Sequence, residues 1–352
     1  PNNRIGTNSS GAGAVLNNVG SGIELVGSEQ VTIISNTIAY NGQAGIALFN
    51  SSNDVIAGNT IRANHAAGLS LTAAANNNLI GGPSGNSGYG GNKIVLNGEE
   101  GIVLQPIALV PSVVPLENRI VGNWIGTLNV VDVAANDGGG IVLAGASKTL
   151  IGDAASPAPN IVGGNGGYGI WLHDGAHDNK IVNTRVGSHG YTALPNSAAG
   201  IVIEDSAHDN LVGGVTSSAG NTIAFNDGIG VLIRDAGTSQ NTLLNNTIAK
   251  NKLDGVMVTN QASNNNIGGL GLFAFINRIF ENGRTGVQIA GAAKANLVGA
   301  NHIYANASAG VLLSGANTQD NVVKKARLYG NLSVYGDGIG QEKGANHNYW
   351  SE

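Results

Sequence analysis

The sequence predicts an all-β protein whose chain winds into one parallel β-helix, a solenoid of about 11–12 coils. Three observations predict it. A Gly-Ile or Gly-Val pair opens a short apolar segment many times along the chain, a second signature of paired asparagines lies between these segments, and the composition disfavours helices. Glycine and asparagine tolerate the turns between strands, and β-branched side chains suit the strands themselves.

The first signature is Gly, then an aliphatic residue, any residue and a second aliphatic residue. Its openings lie at Gly22, Gly45, Gly68, Gly101, Gly140, Gly169, Gly200, Gly230, Gly255, Gly286 and Gly310. The shortest spacing, from Ile23 to Ile46 to Leu69, indicates a unit of 23 residues. A unit of that size without a helix cannot bury its own apolar face, so neighbouring units must stack and form a common core.

The second signature is Asn-x-Ile with another asparagine five residues after the first. It occurs as Asn36/Asn41, Asn59/Asn64, Asn92/Asn97, Asn221/Asn226, Asn246/Asn251, Asn277/Asn282 and Asn301/Asn306. A side-chain amide both donates and accepts hydrogen bonds. We therefore expect equivalent asparagines to form amide ladders from coil to coil.

Composition excludes several classes of protein. The chain has 352 residues, no cysteine, 11% charged residues and a formal net charge of −5. Without a basic surface, nucleic acid is not an expected partner. No apolar run reaches the roughly 18 residues that a membrane-spanning helix needs. Disulfides are impossible, and we expect no cofactor other than, at most, calcium.

The segments "GNTIRANHAAGLSL" (58–71), "IGGPSGN" (80–86) and "GNWIGT" (122–127) resemble the parallel β-helix repeats of the pectate-lyase-like superfamily. The similarity extends to Asn/Gly-rich repeats of bacterial surface proteins and of the NosD-like group, and it covers essentially the whole chain. It implies a right-handed coil, which the crossover rule for parallel strands also favours. That superfamily contains lyases, hydrolases, epimerases, adhesins and scaffolds, so the resemblance is specific for fold rather than activity.

We interpret residues 1–352 as a single β-helix domain and residues 324–352, which break the pattern, as a C-terminal cap. Insertions at 81–91, 152–159, 213–220 and 268–276 follow the same point of every second coil and predict a ridge along one edge. Further insertions lie at 105–117, 127–139 and 188–199. The chain opens inside a repeat, and an uncovered first coil would expose strand edges, which favours end-to-end self-association or docking on a longer parent chain.

An acidic row is the first candidate site. Counting from the strand openings aligns Asp174, Asp205 and Asp235 on three consecutive coils, beside His173, Glu204 and Arg234. Stacked carboxylates repel each other unless a cation lies among them. One interpretation is therefore a calcium or sugar site, with these three aspartates as metal ligands. The other is structural: aspartate suits the turn, and Glu204 pairs with Arg234 across coils.

Two nearly identical phrases, "HDGAHDN" (173–179) and "EDSAHDN" (204–210), also place His177 and His208 in one column. Histidine exchanges protons near neutral pH, so both are candidates for sugar or proton binding. Other coils have "NDV", "NNN" or "QDN" at this point, which favours a recurrent turn.

The outward residue of the Gly-Ile-x-Leu motif forms the second candidate surface. It is apolar in six successive coils: Val103, Val142, Trp171, Val202, Leu232 and Met257. Such an apolar row predicts a lateral protein interface or, at Trp171, a platform for a glycan. Cover by the chain's own loops, such as 105–117, is the alternative, and we favour burial of the row over an open sugar platform.

The sequence thus predicts an extracellular or cell-surface scaffold, structural or adhesive, that associates with itself, its parent chain or a polysaccharide. The competing hypothesis is a polysaccharide-active enzyme, a lyase, hydrolase or epimerase, with Asp174, Asp205, Asp235 and Glu204 as catalytic residues. The second hypothesis requires a groove around partly exposed carboxylates with shifted pKa values.

Overall fold

The computed structural model describes residues 1–8, 17–82, 90–107, 110, 112–269, 275–332, 339–341, 345 and 347–351. The chain winds through three parallel sheets, each with twelve described strands, in a right-handed β-helix. Adjacent strands of a sheet come from successive coils. At a strand spacing of about 4.8 Å, twelve coils form a rod roughly 55 Å long.

We call the sheets A, B and C. Each coil passes from A to B to C, and then to A of the next coil. Sheet A contains Arg4–Ile5, Thr37–Ala39, Thr60–Arg62, Lys93–Val95, Trp124–Ile125, Asn160–Val162, Thr184–Val186, Thr222–Ala224, Thr247–Ala249, Asn277–Phe280, Asn301–Tyr304 and Arg327–Tyr329. Sheet B contains Ile23–Val26, Ile46–Phe49, Leu69–Thr72, Ile102–Gln105, Ile141–Ala144, Ile170–His173, Ile201–Ile203, Val231–Arg234, Val256–Thr259, Val287–Ile289, Val311–Leu313 and Ile339–Gln341.

Sheet C contains Thr32–Ile34, Val55–Ala57, Leu79–Gly81, Arg119–Val121, Leu150–Ile151, Lys180–Ile181, Leu211–Gly213, Thr242–Leu244, Asn266–Ile267, Leu297–Val298, Val322–Lys324 and Tyr349–Ser351. Outside these sheets, Ser188–His189 pairs with Thr192–Ala193 as a small antiparallel hairpin, and Ser217–Ala219 forms one 3₁₀ turn. In the described part of the chain no helix is long and apolar enough to span a membrane.

The predicted stacking of the units into a common core is confirmed, and equivalent residues of sheet B form a ladder along it. Ile23 pairs with Ile46, Ile46 with Leu69, and the register continues through Val311 to Ile339. These residues and their partners two positions along fill one continuous core with the inward residues of sheets A and C. Burial of this shared aliphatic core, at about 25 cal/mol per Å² of apolar surface, is the main stabilising contribution.

The glycines that open the strands of sheet B from Gly22 to Gly286 are required by close packing between coils. A Cβ atom at Gly68 would lie 2.5 Å from Cγ2 of Ile94 and 2.7 Å from the carbonyl oxygen of Gly101. Any larger residue would therefore push neighbouring coils apart, which explains why this signature recurs with glycine at the same place.

Three asparagine ladders line the corners of the coil. The two predicted ladders are confirmed; for example, Asn41 Nδ2 donates to Asn64 Oδ1 at 2.8 Å, and Asn221 Nδ2 to Asn246 Oδ1 at 2.9 Å. A third ladder, absent from the sequence prediction, runs between sheets B and C. Its amide-to-amide members are Asn179, Asn210, Asn241, Asn265, Asn296, Asn321 and Asn348.

The four insertions predicted to follow the same point of every second coil lie at one corner of the β-helix. They follow Leu79–Gly81, Leu150–Ile151, Leu211–Gly213 and Asn266–Ile267, which are alternate strands of sheet C. Residues 83–89 and 270–274 of these insertions lie outside the described residues. The segment predicted as a cap, 324–352, continues all three sheets in its described part, with Arg327–Tyr329, Ile339–Gln341 and Tyr349–Ser351.

Candidate functional site

The outer face of sheet B carries a row of outward side chains that is flanked by the turns before the strands, and we call this surface the groove. Its floor is formed by the outward residues of the strands, and one wall by the turns that precede them. Toward the first coils it opens into a shallow cavity lined by small and polar side chains, including Ala47, Ser70, Glu99, Glu100 and Gln105. Toward the middle of the rod the floor becomes apolar and then meets a group of charged residues.

The apolar row predicted as an interface forms the floor in the middle of this groove. Val103, Val142, Val202 and Leu232 are at most 9% exposed. The hydrophobic side chains packed against the row come from the turns before the strands: Ala67, Tyr168, Ala199 and Ile229. The described residues of the insertion at 105–117, which was expected to cover the row, are not among them, and residues 108, 109 and 111 of that insertion lie outside the described residues. Only Trp171 and Met257 of the six predicted residues remain partly open to solvent.

Trp171 joins the apolar floor to the charged group. Its ring packs against hydrophobic side chains of the coils on both sides. His173 stacks on it with ring centroids 3.9 Å apart, and Tyr168 contacts it edge-on at 5.6 Å. Trp171 Nε1 donates a hydrogen bond of 2.7 Å to Glu204 Oε1. These contacts fix the indole in one orientation, with His173 stacked on it.

Glu204 is the buried centre of the charged group, with only 3% of its surface exposed. Its second carboxylate oxygen accepts a hydrogen bond from Arg234 Nε on the next coil, as one interpretation of the sequence predicted. This hydrogen bond raises the pKa of Arg234. A buried carboxylate needs such partners, because moving one unpaired charge out of water costs on the order of several kcal/mol.

The three aspartates lie side by side where the strands of sheet B end. Register through Ile170, Ile201 and Val231 places Asp174, Asp205 and Asp235 on successive coils, as predicted. All three have a left-handed backbone, with φ of 52°, 48° and 77°. Several other coils have glycine or asparagine with positive φ at this point, as at Gly145 and Asn260, and one has Ala73. Aspartate, asparagine and glycine are the residues that tolerate this conformation, so the backbone alone favours aspartate here.

The predicted metal ligands only partly converge. Ligand atoms of His173, Asp174 and Asp205 lie within 4.8 Å of one another. Asp235 is not in that group; its carboxylate accepts a hydrogen bond from Asn260 Nδ2 and lies 3.9 Å from Arg234 Nε. Calcium takes six to eight oxygen ligands, and an imidazole with two exposed carboxylates supplies few of them.

Asp205, in the middle of the row, has a raised pKa. Partial removal from water raises the pKa of its carboxyl above the ordinary 3.8, and the charges of Glu204, Asp235 and Asp174 add to that rise. The carboxyl is nevertheless largely exposed. It is therefore an exposed acid at the rim of the groove rather than an isolated buried one.

His177 and His208 belong to a separate turn between sheets B and C. Their rings stack with centroids 5.0 Å apart and an interplanar angle of 2°. Each Nδ1 contacts the following aspartate, at 2.9 Å for Asp178 and 2.8 Å for Asp209. Asp178 and Asp209 also have positive φ, and the asparagines after them are members of the third ladder. The repeated phrase is thus explained by the turn.

Sequence reasoning missed Tyr168 and the third ladder. Tyr168 precedes an opening glycine, at the point where other coils have Ala67, Ala199 and Ile229, and that alternation of alanine with larger residues was the available signal. The asparagine of each "HDN" phrase could have been aligned with Asn241 and Asn265 on later coils.

The model of the family described as "Right handed beta helix region" matches residues 2–153, 126–270 and 200–350. No curated protein sequence matches the chain significantly. Among solved structures, the chain is similar to the A-module of the mannuronan C-5 epimerase AlgE4 of Azotobacter vinelandii, with a TM-score of 0.59 and 16% identity over 99% of this chain and 88% of that one.

The chain is also similar to the periplasmic alginate epimerase AlgG, with a TM-score of 0.54 and 14% identity over 93% of this chain and 73% of that one. At such identities the likeness concerns the fold. Together with the family matches, which extend over nearly the whole sequence, it shows that this chain belongs to the right-handed beta helix family.

Proposed function

We propose that this chain is an extracellular or surface-exposed scaffold with an adhesive function, and that the groove of sheet B contacts neutral saccharides. The observation that carries this proposal is the network of Trp171, Glu204 and Arg234, which ties three successive coils together. The polar groups of this network are hydrogen-bonded to one another. They hold the scaffold in one arrangement and are engaged with each other rather than with a ligand proton.

The rim of the groove supports saccharide binding. His173, Asp174 and Asp205 supply hydrogen-bond acceptors at the end of the apolar floor. Sugar hydroxyls donate to such acceptors, and binding sites commonly combine an apolar surface with a few polar groups. The four carboxylates of the group outnumber its one guanidinium, which favours neutral over acidic saccharides.

The test is a binding panel of neutral and acidic polysaccharides, followed by calorimetry on those that bind. The double variant D174N/D205N should weaken binding of a neutral polysaccharide roughly tenfold, because each carboxylate accepts a hydrogen bond that an amide replaces poorly. D178N/D209N is the matched control: both residues are aspartates with positive φ on an adjacent turn. Equal affinity of the two double variants, or no neutral ligand in the panel, would refute the proposed contact.

An enzyme is the competing proposal. The raised pKa of Asp205 beside the buried Glu204 favours it, and two solved structures of the same fold are epimerases of alginate or mannuronan. Against a hydrolase in particular, the carboxylates of the row lie on one edge, whereas hydrolases place two carboxyl groups on opposite sides of the scissile bond. Incubation with the same panel, with products followed by chromatography and NMR, should show no cleavage and no change of sugar configuration.

Self-association is a further part of the scaffold proposal. The first described coil exposes Val19, at 92%, and Val26, at 66%. Large exposed aliphatic side chains favour contact with a second molecule. Light scattering over a range of concentrations should show oligomers that the double variant V19S/V26T reduces, and a monomer at every concentration would rule this part out.

A further inference from the structure

The third asparagine ladder has an aspartate near its start. The register of sheet C places Val31, Asp54 and Asn78 at equivalent positions of three successive coils. The backbone N–H of Asp54 donates to Asn78 Oδ1 at 2.9 Å, so Asp54 stands in the ladder. The two other ladders have asparagine in the first described coil as well, at Asn3 and Asn18. Among the described ladder members, Asp54 is the one that can lose a proton.

The carboxyl group of Asp54 is buried, and only one of its oxygens has a partner. Asp54 is 1% exposed. Its Oδ1 atom accepts a hydrogen bond of 2.7 Å from the backbone N–H of Val31 on the preceding coil. Its Oδ2 atom is buried and makes no hydrogen bond with the described residues. An ionised carboxylate only accepts hydrogen bonds, so Oδ2 then lacks a donor among the described residues.

The equivalent amide on the next coil uses this second atom as a donor. Asn78 Nδ2 donates at 3.0 Å to the carbonyl oxygen of Ser51, which lies three residues before Asp54. By the same register, the acceptor that corresponds to Asp54 is the carbonyl oxygen of Ser28, three residues before Val31. A protonated carboxyl can donate to that oxygen, whereas an ionised carboxylate cannot.

The surroundings of Asp54 favour the protonated form. Burial raises the pKa of Asp54 above the ordinary 3.8. The hydrogen bond from Val31 opposes this rise, and the negative charge of Glu29 adds to it. Residues 26–34, 50–57 and 73–81 form this corner on three successive coils, and they contain no charged residue other than Glu29 and Asp54.

We propose that the protonation of Asp54 controls how tightly the first described coil is held on the second. The protonated carboxyl accepts from Val31 and donates to Ser28, as a ladder asparagine would. The ionised carboxylate keeps only the contact with Val31, so the segment 22–34 opens more often. The docked coil binds the proton more tightly than the open coil. Docking is therefore strongest below pH 3.8 and weakens as the pH rises through the raised pKa.

Opening of this coil breaks backbone hydrogen bonds that can be followed directly. The N–H of Ile23 donates to the carbonyl oxygen of Gly45 at 3.1 Å, and that of Gly27 donates to the carbonyl oxygen of Phe49 at 2.9 Å. Opening also frees the strand edges of the second coil, and a free strand edge can pair with another chain. Asp54 lies outside the groove, so this inference does not depend on the function proposed for the groove.

The test measures hydrogen exchange of the backbone amides in segment 22–34 by mass spectrometry, at pH values from 3.5 to 7.5. Each rate is corrected for the intrinsic exchange rate of the amide at that pH. Protection of this segment in the wild type should fall roughly fivefold as the pH rises, the factor that corresponds to one net hydrogen bond. Protection of the distant strand Val256–Thr259 should not fall with it.

Asp54→Asn should remove this fall and give higher protection than the wild type at pH 7.5, because an amide donates at every pH in this range. Glu29→Gln should retain the fall, since it leaves the carboxyl of Asp54 in place. A fall that persists in Asp54→Asn, or that Glu29→Gln abolishes, would overturn the proposal. Failure of Asp54→Asn to fold would also contradict it, because the proposal makes asparagine the better residue at this position.

Asp254→Asn is the matched control. Asp254 is also 1% exposed, its Oδ1 atom accepts from the backbone N–H of Thr285 at 3.0 Å, and its Oδ2 atom makes no hydrogen bond with the described residues. Asp254 lies on a distant coil, so its replacement should leave the protection of segment 22–34 unchanged. An effect on this segment equal to that of Asp54→Asn, or a loss of protection in all coils together, would show that the contact is not local to Asp54.

Discussion

At the scale of single residues, asparagine has the most specific role in this chain. Asn226 Nδ2 donates to Asn251 Oδ1 at 2.9 Å and to the carbonyl oxygen of Val186, while its own Oδ1 accepts from Asn196. All of these atoms are buried. Because water cannot replace the lost partners, one ladder asparagine contributes to the order of three coils at once.

We therefore expect Asn226→Ala to lower the free energy of unfolding by about 2–3 kcal/mol, the cost of leaving buried amide and carbonyl groups without partners. Ser218→Ala, at an exposed position, should change it by less than about 0.5 kcal/mol. Chemical denaturation of the two variants checks the difference. Equal stabilities would mean that the ladders contribute nothing to folding.

Aspartate in the acidic row is explained first by its backbone. Asp205 has φ of 48°, a conformation that is unfavourable for a β-branched residue. Asp205→Gly should thus retain the stability of the wild type within about 0.5 kcal/mol, and Asp205→Val should lose about 1–2 kcal/mol. A similar loss in both variants, measured by thermal unfolding, would instead indicate that the carboxylate itself stabilises the fold.

The raised pKa of Asp205 also predicts a dependence on pH. Between the ordinary pKa of 3.8 and the raised value, the folded chain holds more protons than the unfolded chain, so stability falls as the pH rises through this window. Asp205→Asn removes the charge, and it should be more stable than the wild type at pH 7. The difference should vanish below pH 3.8. A variant that is less stable at pH 7 would contradict this sign.

At the scale of elements, the strands of sheet B are joined by their outward as well as their inward residues. The strand Ile170–His173 contributes Trp171, Glu204 follows the strand Ile201–Ile203, and Arg234 ends the strand Val231–Arg234. The hydrogen bonds of Glu204 therefore connect three strands across the groove floor.

Removal of one partner should cost more than removal of both. Arg234→Met leaves the buried Glu204 without its counter-charge, and we expect a loss of about 2 kcal/mol, less than for a fully buried pair because Arg234 is partly exposed. The double variant E204L/R234M should recover most of that loss. Urea denaturation of the single and double variants decides this, and an additive loss would show that the two residues act independently.

At the scale of the whole molecule, the rod is a stack of nearly equivalent coils, in which each coil contacts its two neighbours. The 23-residue unit from Ile46 to Gly68 begins and ends at equivalent positions, since Ile46 pairs with Leu69. Removing this unit joins Gly45 directly to Leu69 in the chain. All three sheets and the asparagine ladders then stay in register. The stability of such arrays is close to a sum over repeats and their interfaces.

Deletion of residues 46–68 should consequently give a folded chain that is shorter by about 4.8 Å, as small-angle scattering would measure. Deletion of residues 46–67, one residue fewer, shifts inward side chains to the outer face and should abolish cooperative unfolding. If both deletions fold equally well, the register inferred for the coil is wrong.

The sequence alone predicted the architecture of this protein. A solenoid can be predicted from local patterns because each coil repeats the same close contacts. The spacing at which residues such as Gly68, Asn41 and Ile46 recur therefore shows which positions stack. The same counting predicted the column of Asp174, Asp205 and Asp235 and the pairing of Glu204 with Arg234. In such a fold the register of the coils can be counted from the spacing of the repeated motifs.

Only the tertiary structure decided what those residues contact. Counting could not show that Trp171 packs between two coils with Tyr168 at its edge, or that residues of the turns before the strands pack against Val142 and Val202. Nor could it show that Asp235 is outside the cluster that His173 forms with Asp174 and Asp205. These outcomes depend on the direction of side chains and turns at the outer surface. There neighbouring coils differ, and the repeat that determines the core no longer constrains the chain.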